Sequence, residues 1–141
     1  MKYAKWIAVL MMVIVPVIAA AQMPGTEQIR AQVPFTFVVA NHAVPLGECT
    51  IQRADPSGRV LVISSPGAKV NVFATASMTE NQKASENYVL VFHKYGMRYY
   101  LVGLKLENSR IGYSMTLSDF EKELLAQNEQ PTEVMLLASA K

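Results

Sequence analysis

The side chains that most often perform catalysis or bind metals are few and scattered in this chain. His42 and His93 are the only histidines, and neither has a cysteine, a carboxylate or a second histidine at the spacing of metal ligands. No serine lies in a Gly-x-Ser-x-Gly motif, and no glycine-rich phosphate loop occurs. Glu121 and Glu123 are helix neighbours two positions apart and point in different directions, so they cannot be assigned as an acid pair. The sequence predicts no catalytic residues, no cofactor-binding residues, no cofactor and no metal ligands.

Aromatic side chains concentrate in one stretch of the sequence. They form the predicted ligand or partner surface, which comprises Tyr88, Phe92, Tyr95, Tyr99 and Tyr100. Two interpretations stay open: an aromatic platform for a sugar or a lipid, or the ordinary pairing of aromatic residues across neighbouring strands. If the protein has a ligand site, we expect this stretch to form one wall of it.

The single cysteine, Cys49, lies in an alternating pattern and shares a face with Ile51. The pattern favours a small apolar core residue, and the alternative is an intermolecular disulfide. A reactive thiolate would need a cationic neighbour, and none is adjacent in the sequence.

Most of these residues fall on predicted β-strands, identified by alternating apolar residues between turn signals. Pro34 suggests an edge position or a strand start for the first of them, and residues 76–86 are predicted to be a loop. The hairpin 87–106, bent at Gly96, is apolar on both faces and should lie centrally between two layers. The predicted strands cover 32–39, 48–53, 59–64, 69–75, 87–95, 97–106, 111–115 and 132–138. The fold class is mainly β: an antiparallel β-sandwich or partly open β-barrel of about seven or eight short strands, with one short C-terminal helix.

That helix is predicted over residues 117–125. Ser118 and Glu121 have the spacing of a capping box, in which each side chain bonds the free backbone N–H of the other. Leu117, Phe120 and Leu124 share one stripe, which we expect to dock on the sheet.

Residues 1–21 have the order of a secretory signal peptide. Lys2 and Lys5 precede an apolar run over residues 6–18, and three alanines follow. The alternative is an uncleaved anchor, although the apolar stretch is shorter than a bilayer-spanning helix. We therefore expect a periplasmic or secreted protein with a single β-rich domain over residues 22–141, and no transmembrane helix after signal removal.

Charge argues against a nucleic-acid partner. The chain has 13 basic and 11 acidic residues, and removal of Lys2 and Lys5 with the signal leaves equal numbers. The remaining basic residues are spread along the sequence, so no basic stripe is available for a phosphate backbone.

Three segments of the sequence look familiar together. They read VPFTFVV at 33–39, PLGECTI at 45–51 and VFHKYGMRYYL at 91–101. They resemble a family of small, functionally uncharacterised exported β-rich proteins from soil bacteria. The family usually has Leu-Pro-Ala-Gly-Glu-Tyr-Thr in the middle segment, whereas this chain has Cys49 in place of the tyrosine. The resemblance implies export and an all-β fold, and it implies no catalytic residues.

Two functional hypotheses follow from these observations. The first is an exported, non-enzymatic binding module of the cell envelope, whose partner is a small apolar ligand or an envelope protein. The alternative is a structural or assembly component of the envelope that self-associates, suggested by Pro34 on a possible edge strand and by the unpaired Cys49. An enzyme would require His42 or His93 to meet an acid and a nucleophile in a cleft.

Overall fold

The computed structural model describes residues 28–140, so the predicted signal peptide lies outside the described residues. The described chain is mainly β, as predicted. Its elements in chain order are β1 (Ile29–Val33), β2 (Phe37–Val39), β3 (His42–Val44), β4 (Gly47–Arg53), β5 (Val60–Ser65), β6 (Val70–Ser85), β7 (Tyr88–Tyr95), β8 (Arg98–Lys105), β9 (Ser109–Met115), α1 (Asp119–Ala126) and β10 (Thr132–Ala140).

Eight of these strands close into an antiparallel barrel. The circuit runs β1–β4–β5–β6–β9–β8–β7–β10 and returns to β1, where Ile29 pairs with Ala140. The hairpin β2–β3 lies beside this circuit, attached by a parallel pairing of Val38 with Tyr100 on β8. Of the two predicted architectures the barrel is confirmed, and it is closed rather than partly open. An eight-stranded barrel is just wide enough for its own side chains to fill the interior.

The predicted strand over residues 32–39 is wrong as a single element. Strand β1 ends at Val33, and β2 begins only at Phe37. Pro34 explains the break because it has no N–H to donate to a strand ladder. Since β1 lies between β4 and β10, it is not an edge strand.

The predicted loop over residues 76–86 is also wrong, because β6 continues through Ser85. Residues 70–75 pair with β5, and residues 76–80 pair with β9. Burial alternates as far as Ala76, and beyond it β6 is exposed on nearly all positions. A strand at the rim of a barrel lacks an apolar face, which removes the alternating pattern from its sequence.

The hairpin of β7 and β8 is confirmed, with Gly96 at a positive φ of 62° in its turn. The expectation that this hairpin lies between two layers is wrong. Its inner face, which includes Leu90, Phe92 and Leu101, is buried in the barrel. Its outer face is covered in part by α1, whose Glu121 contacts His93 and Tyr95. A helix, and not a second sheet, therefore packs on this face.

Aromatic rings close one end of the barrel. Phe35 stacks on Tyr99 with ring centroids 3.7 Å apart, and its edge meets Phe92 at 5.0 Å. Phe37 meets Phe92 at 5.2 Å from another side. The interior at this end is therefore filled by aromatic packing.

Helix α1 connects β9 to β10 across the outside of β7 and β8, and a residue distant in sequence caps it. The predicted capping box is wrong, since Ser118 makes no side-chain cap bond. Instead, the backbone N–H of Asp119 donates to Oδ1 of Asn41, in the β2–β3 turn, at 2.8 Å. The predicted docking stripe is wrong in its central member: Phe120 is 43% exposed, and the buried residue of the helix is Glu121.

Candidate functional site

An apolar cavity of about 180 Å³ opens at the end of the barrel opposite the aromatic rings. Buried side chains of five strands form its inner surface, among them Ile51, Leu61, Leu104 and Tyr113. At its mouth lie apolar residues that are partly exposed, chiefly Met78, Leu106 and Ile111. Such a cavity can hold the apolar part of a small molecule, because an engineered apolar cavity of about 150 Å³ stays dry and binds benzene.

Strand alternation determines which side chains face this cavity. On β4, the inward positions are Cys49, Ile51 and then Arg53 at the end of the strand. On the opposite wall, Leu104 of β8 pairs with Tyr113 of β9, and both are buried. The cavity therefore continues the barrel core towards this end, where the inward side chains of opposite walls do not fill the space between them.

A tight turn supports the ring of Tyr113 from behind. In the turn Asp55–Gly58, the Gly58 N–H donates a hydrogen bond to the Asp55 carbonyl at 3.2 Å. A hydrogen bond donated by the Ser57 hydroxyl to the Asp55 carboxylate lowers the pKa of Asp55. Gly58 has a φ of 72°, and a Cβ atom there would lie 2.9 Å from the Tyr113 ring. Glycine thus allows both the turn and its close contact with a wall of the cavity.

Polar groups of the cavity lie at its mouth. Gln52, Arg53 and Ser109 contribute to the lining. Arg53 is the one charged residue of the described lining, and it also interacts with another group of the protein. The nearby rim acid Glu80 is paired with Arg110 at 3.1 Å. The site combines an apolar interior with an entrance that contains one guanidinium group.

The five aromatic residues predicted as a ligand or partner surface do not line this cavity. Tyr88, Phe92, Tyr95 and Tyr100 are buried, and Tyr99 is half-buried against Phe35. Tyr99 and Tyr100 contribute to one shallow groove beside α1, and Tyr95 contributes to another. The structure does not gather the five residues into one exposed platform.

A second polar feature, missed by the sequence reasoning, is a buried carboxylate under α1. Glu121 is 1% exposed, and its Oε1 lies 2.7 Å from Nδ1 of His93 and accepts a hydrogen bond from the Tyr95 hydroxyl at 3.1 Å. Its Oε2 is buried with no hydrogen-bond partner among the described residues. Burial, together with the negative charge of Glu121, raises the pKa of Tyr95 to about 12.

This carboxylate cluster has the composition of an acid–base site but lies outside the grooves. Neither groove beside α1 is lined by Glu121 or by His93. Over residues 28–140, no group of three or more His, Cys, Asp and Glu side chains could hold a metal ion. What the geometry does explain is how α1 is fixed to the barrel. One signal in the sequence could have indicated the cluster: His93 and Tyr95 share one face of a strand.

Cys49 occupies the core position that the alternating pattern predicts. It is 1% exposed, and burial raises the pKa of its thiol to about 12. His42 is exposed on β3, and strands β2 and β8 lie between it and His93 on β7.

Comparisons with known protein families, with characterised proteins and with solved structures find nothing that matches this chain. The resemblance to exported soil-bacterial proteins therefore stays an expectation. Within residues 28–140, no helix has the length and apolar character needed to cross a membrane.

Proposed function

We propose that this protein is an exported, non-enzymatic binding protein of the cell envelope, and that it holds the apolar part of a small ligand in the barrel-end cavity. The observation that carries this proposal is the cavity itself, about 180 Å³ and lined mainly by aliphatic side chains. The interior of a closed eight-stranded barrel is either filled by side chains or wide enough to hold one small ligand. The mouth residues Met78 and Ile111 leave an entrance for such a molecule.

The size of the cavity limits the ligand. It is only slightly larger than a cavity of about 150 Å³ that accommodates a benzene ring. A single ring or a short alkyl chain would fill it, and the rest of a larger ligand would remain at the mouth. Burial of apolar surface would supply the affinity, at roughly 25 cal/mol for each Å² removed from water.

The proposed location rests on the sequence. The signal-peptide pattern of residues 1–21 supports a periplasmic or secreted protein. In that compartment the binding domain would have access to small amphiphiles released from membranes or taken up from outside.

The alternative, a self-associating envelope component, loses the two observations that suggested it. Cys49 is buried in the core, and Pro34 does not lie on an edge strand. We therefore place ligand binding first.

A pair of tryptophan variants tests the proposal. The chain over residues 22–141 contains no tryptophan, so each variant also introduces a fluorescent probe. Ile111→Trp places a large ring at the cavity mouth, at a position already 40% exposed. Leu137→Trp places the same ring on a position of β10 that is 71% exposed and outside the cavity lining, and serves as the control.

The assay is ligand-observed NMR with toluene and n-octanol as probes on residues 22–141. We expect saturable binding to the wild type and to Leu137→Trp, and a loss of about tenfold or more in Ile111→Trp. Absence of saturable binding to the wild type would refute the proposal. Equal binding to both variants would place the ligand elsewhere.

A further inference from the structure

The entrance of the apolar cavity has a definite charge. Arg53 is the last inward position of β4, two residues beyond Ile51, and it is half-buried at the mouth. The other polar groups of the described lining, Gln52 and Ser109, are neutral. A molecule entering the cavity therefore passes the guanidinium group of Arg53.

Desolvation makes this charge significant for recognition. A cation beside an apolar cavity is less screened than one in bulk water, so its attraction for an anion is stronger there. The guanidinium fork also matches the two oxygens of a carboxylate. Arg53 also interacts with another group of the protein. A guanidinium has five N–H donors and can therefore bind a protein group and a ligand together.

We propose that the natural ligand is a small amphiphilic monoanion, with its carboxylate or similar oxyanion head at Arg53 and an alkyl chain or single ring in the cavity. This inference rests on the proposed function, because it specifies the chemistry of the same site. The head stays at the mouth beside Gln52 and Ser109, and the apolar tail lies against Leu61, Leu104 and Tyr113.

Two quantitative expectations follow for a homologous series of carboxylates. Each methylene that enters the cavity should increase affinity by about fourfold, since burial of one CH₂ group contributes about 0.8 kcal/mol. The increase should stop once the cavity is full, at a tail of about six to eight carbons by comparison with the cavity that holds benzene.

The experiment compares octanoate with n-octanol at pH 7 on residues 22–141, by calorimetry and ligand-observed NMR. The two probes share a chain length and differ in head-group charge. Arg53→Gln removes the cation and keeps a polar side chain. Arg59→Gln makes the same charge change at an exposed position that does not line the cavity, and is the matched control. Octanol binding shows that each variant has kept a folded cavity.

We expect the wild type and Arg59→Gln to bind octanoate about tenfold more tightly than octanol. Arg53→Gln should still bind octanol, and it should lose the preference for octanoate. Arg53→Lys, which keeps the charge without the fork, should retain part of that preference.

The outcomes separate the two proposals. If octanol binds as well as octanoate or better, and Ile111→Trp still abolishes binding, the anionic head group is refuted and the proposed function stands. If Arg53→Gln keeps the preference for octanoate, Arg53 does not bind the head group and the inference is overturned. If neither probe binds the wild type, both proposals are refuted.

Discussion

Replacement of Glu121 tests how helix α1 is held on the barrel. Its carboxylate is 1% exposed and contacts His93 and Tyr95, so Glu121→Ala leaves two polar groups of β7 without their partner. Removal of one member of a buried polar or ionic pair typically costs about 3–5 kcal/mol. Glu121→Gln keeps the size and one acceptor oxygen but loses the charge that strengthens both contacts. We expect it to cost about 2 kcal/mol, because bonds to charged groups exceed neutral ones by roughly 1 kcal/mol each.

The assay is urea and thermal unfolding of residues 22–141, with Glu123→Ala as the control on an exposed position of the same helix. For a domain of this size, about 4 °C of midpoint shift corresponds to 1 kcal/mol, so Glu121→Ala should melt about 12–20 °C below the wild type. The control should stay within about 0.5 kcal/mol of wild type. Equal stability of the two alanine variants would refute the reasoning, because the carboxylate would then contribute nothing to docking of the helix.

Three further predictions concern single residues. The pKa of Tyr95 is about 12 in the folded state against an ordinary 10.0, so the native state holds the phenol proton more tightly. The resulting stabilisation is complete below pH 10 and is lost as the pH rises from 10 to 12. Tyr95→Phe should weaken this pH dependence of the free energy of unfolding. Gly58→Ala should lower the free energy of unfolding by about 1–2 kcal/mol because of the positive φ. It should also weaken toluene binding, since the added Cβ would move the Tyr113 ring. Gly67→Ala is the control and should do neither, because the space around Gly67 is open. Cys49 should resist alkylation by iodoacetamide at pH 8 in the folded protein and react fully in urea, because burial raises the thiol pKa to about 12; rapid reaction of the native protein would contradict the buried assignment.

The sequence predicts the strands well where one face of the strand meets the core. Strands β4, β5 and the β7–β8 hairpin were expected within one or two residues of their observed bounds, since burial of alternate side chains forces a period of two. The same logic fails for the second half of β6, which lies on the rim and has no buried face. The prediction of a single strand also fails at Pro34. The apolar alternation continues through this residue, but proline interrupts the hydrogen bonding between strands.

The candidate site was harder to predict because its parts come from distant segments. A local capping motif made Ser118 and Glu121 look like partners, but Asn41 caps the helix from 78 residues away and Glu121 turns to the barrel. Closure of the barrel depends on β1 pairing with β10, and no local pattern encodes that contact. The cavity forms only when the barrel closes, so no single segment of the sequence predicts it. What the sequence could indicate was a β-rich domain without a recognisable catalytic motif, and export stays a prediction.

Closure by β10 has a consequence for how the chain reaches this structure. Strand β10 lies between β7 and β1, and it is the last of the described strands to leave the ribosome. Until it arrives, β1 and β7 each present a row of unpaired backbone groups, the kind of edge that recruits other chains. Folding before synthesis is complete would therefore produce an open sheet with two unpaired edges that is prone to aggregation. A chain arrested before residue 132 should aggregate, and a peptide of the β10 sequence supplied in trans should suppress that aggregation.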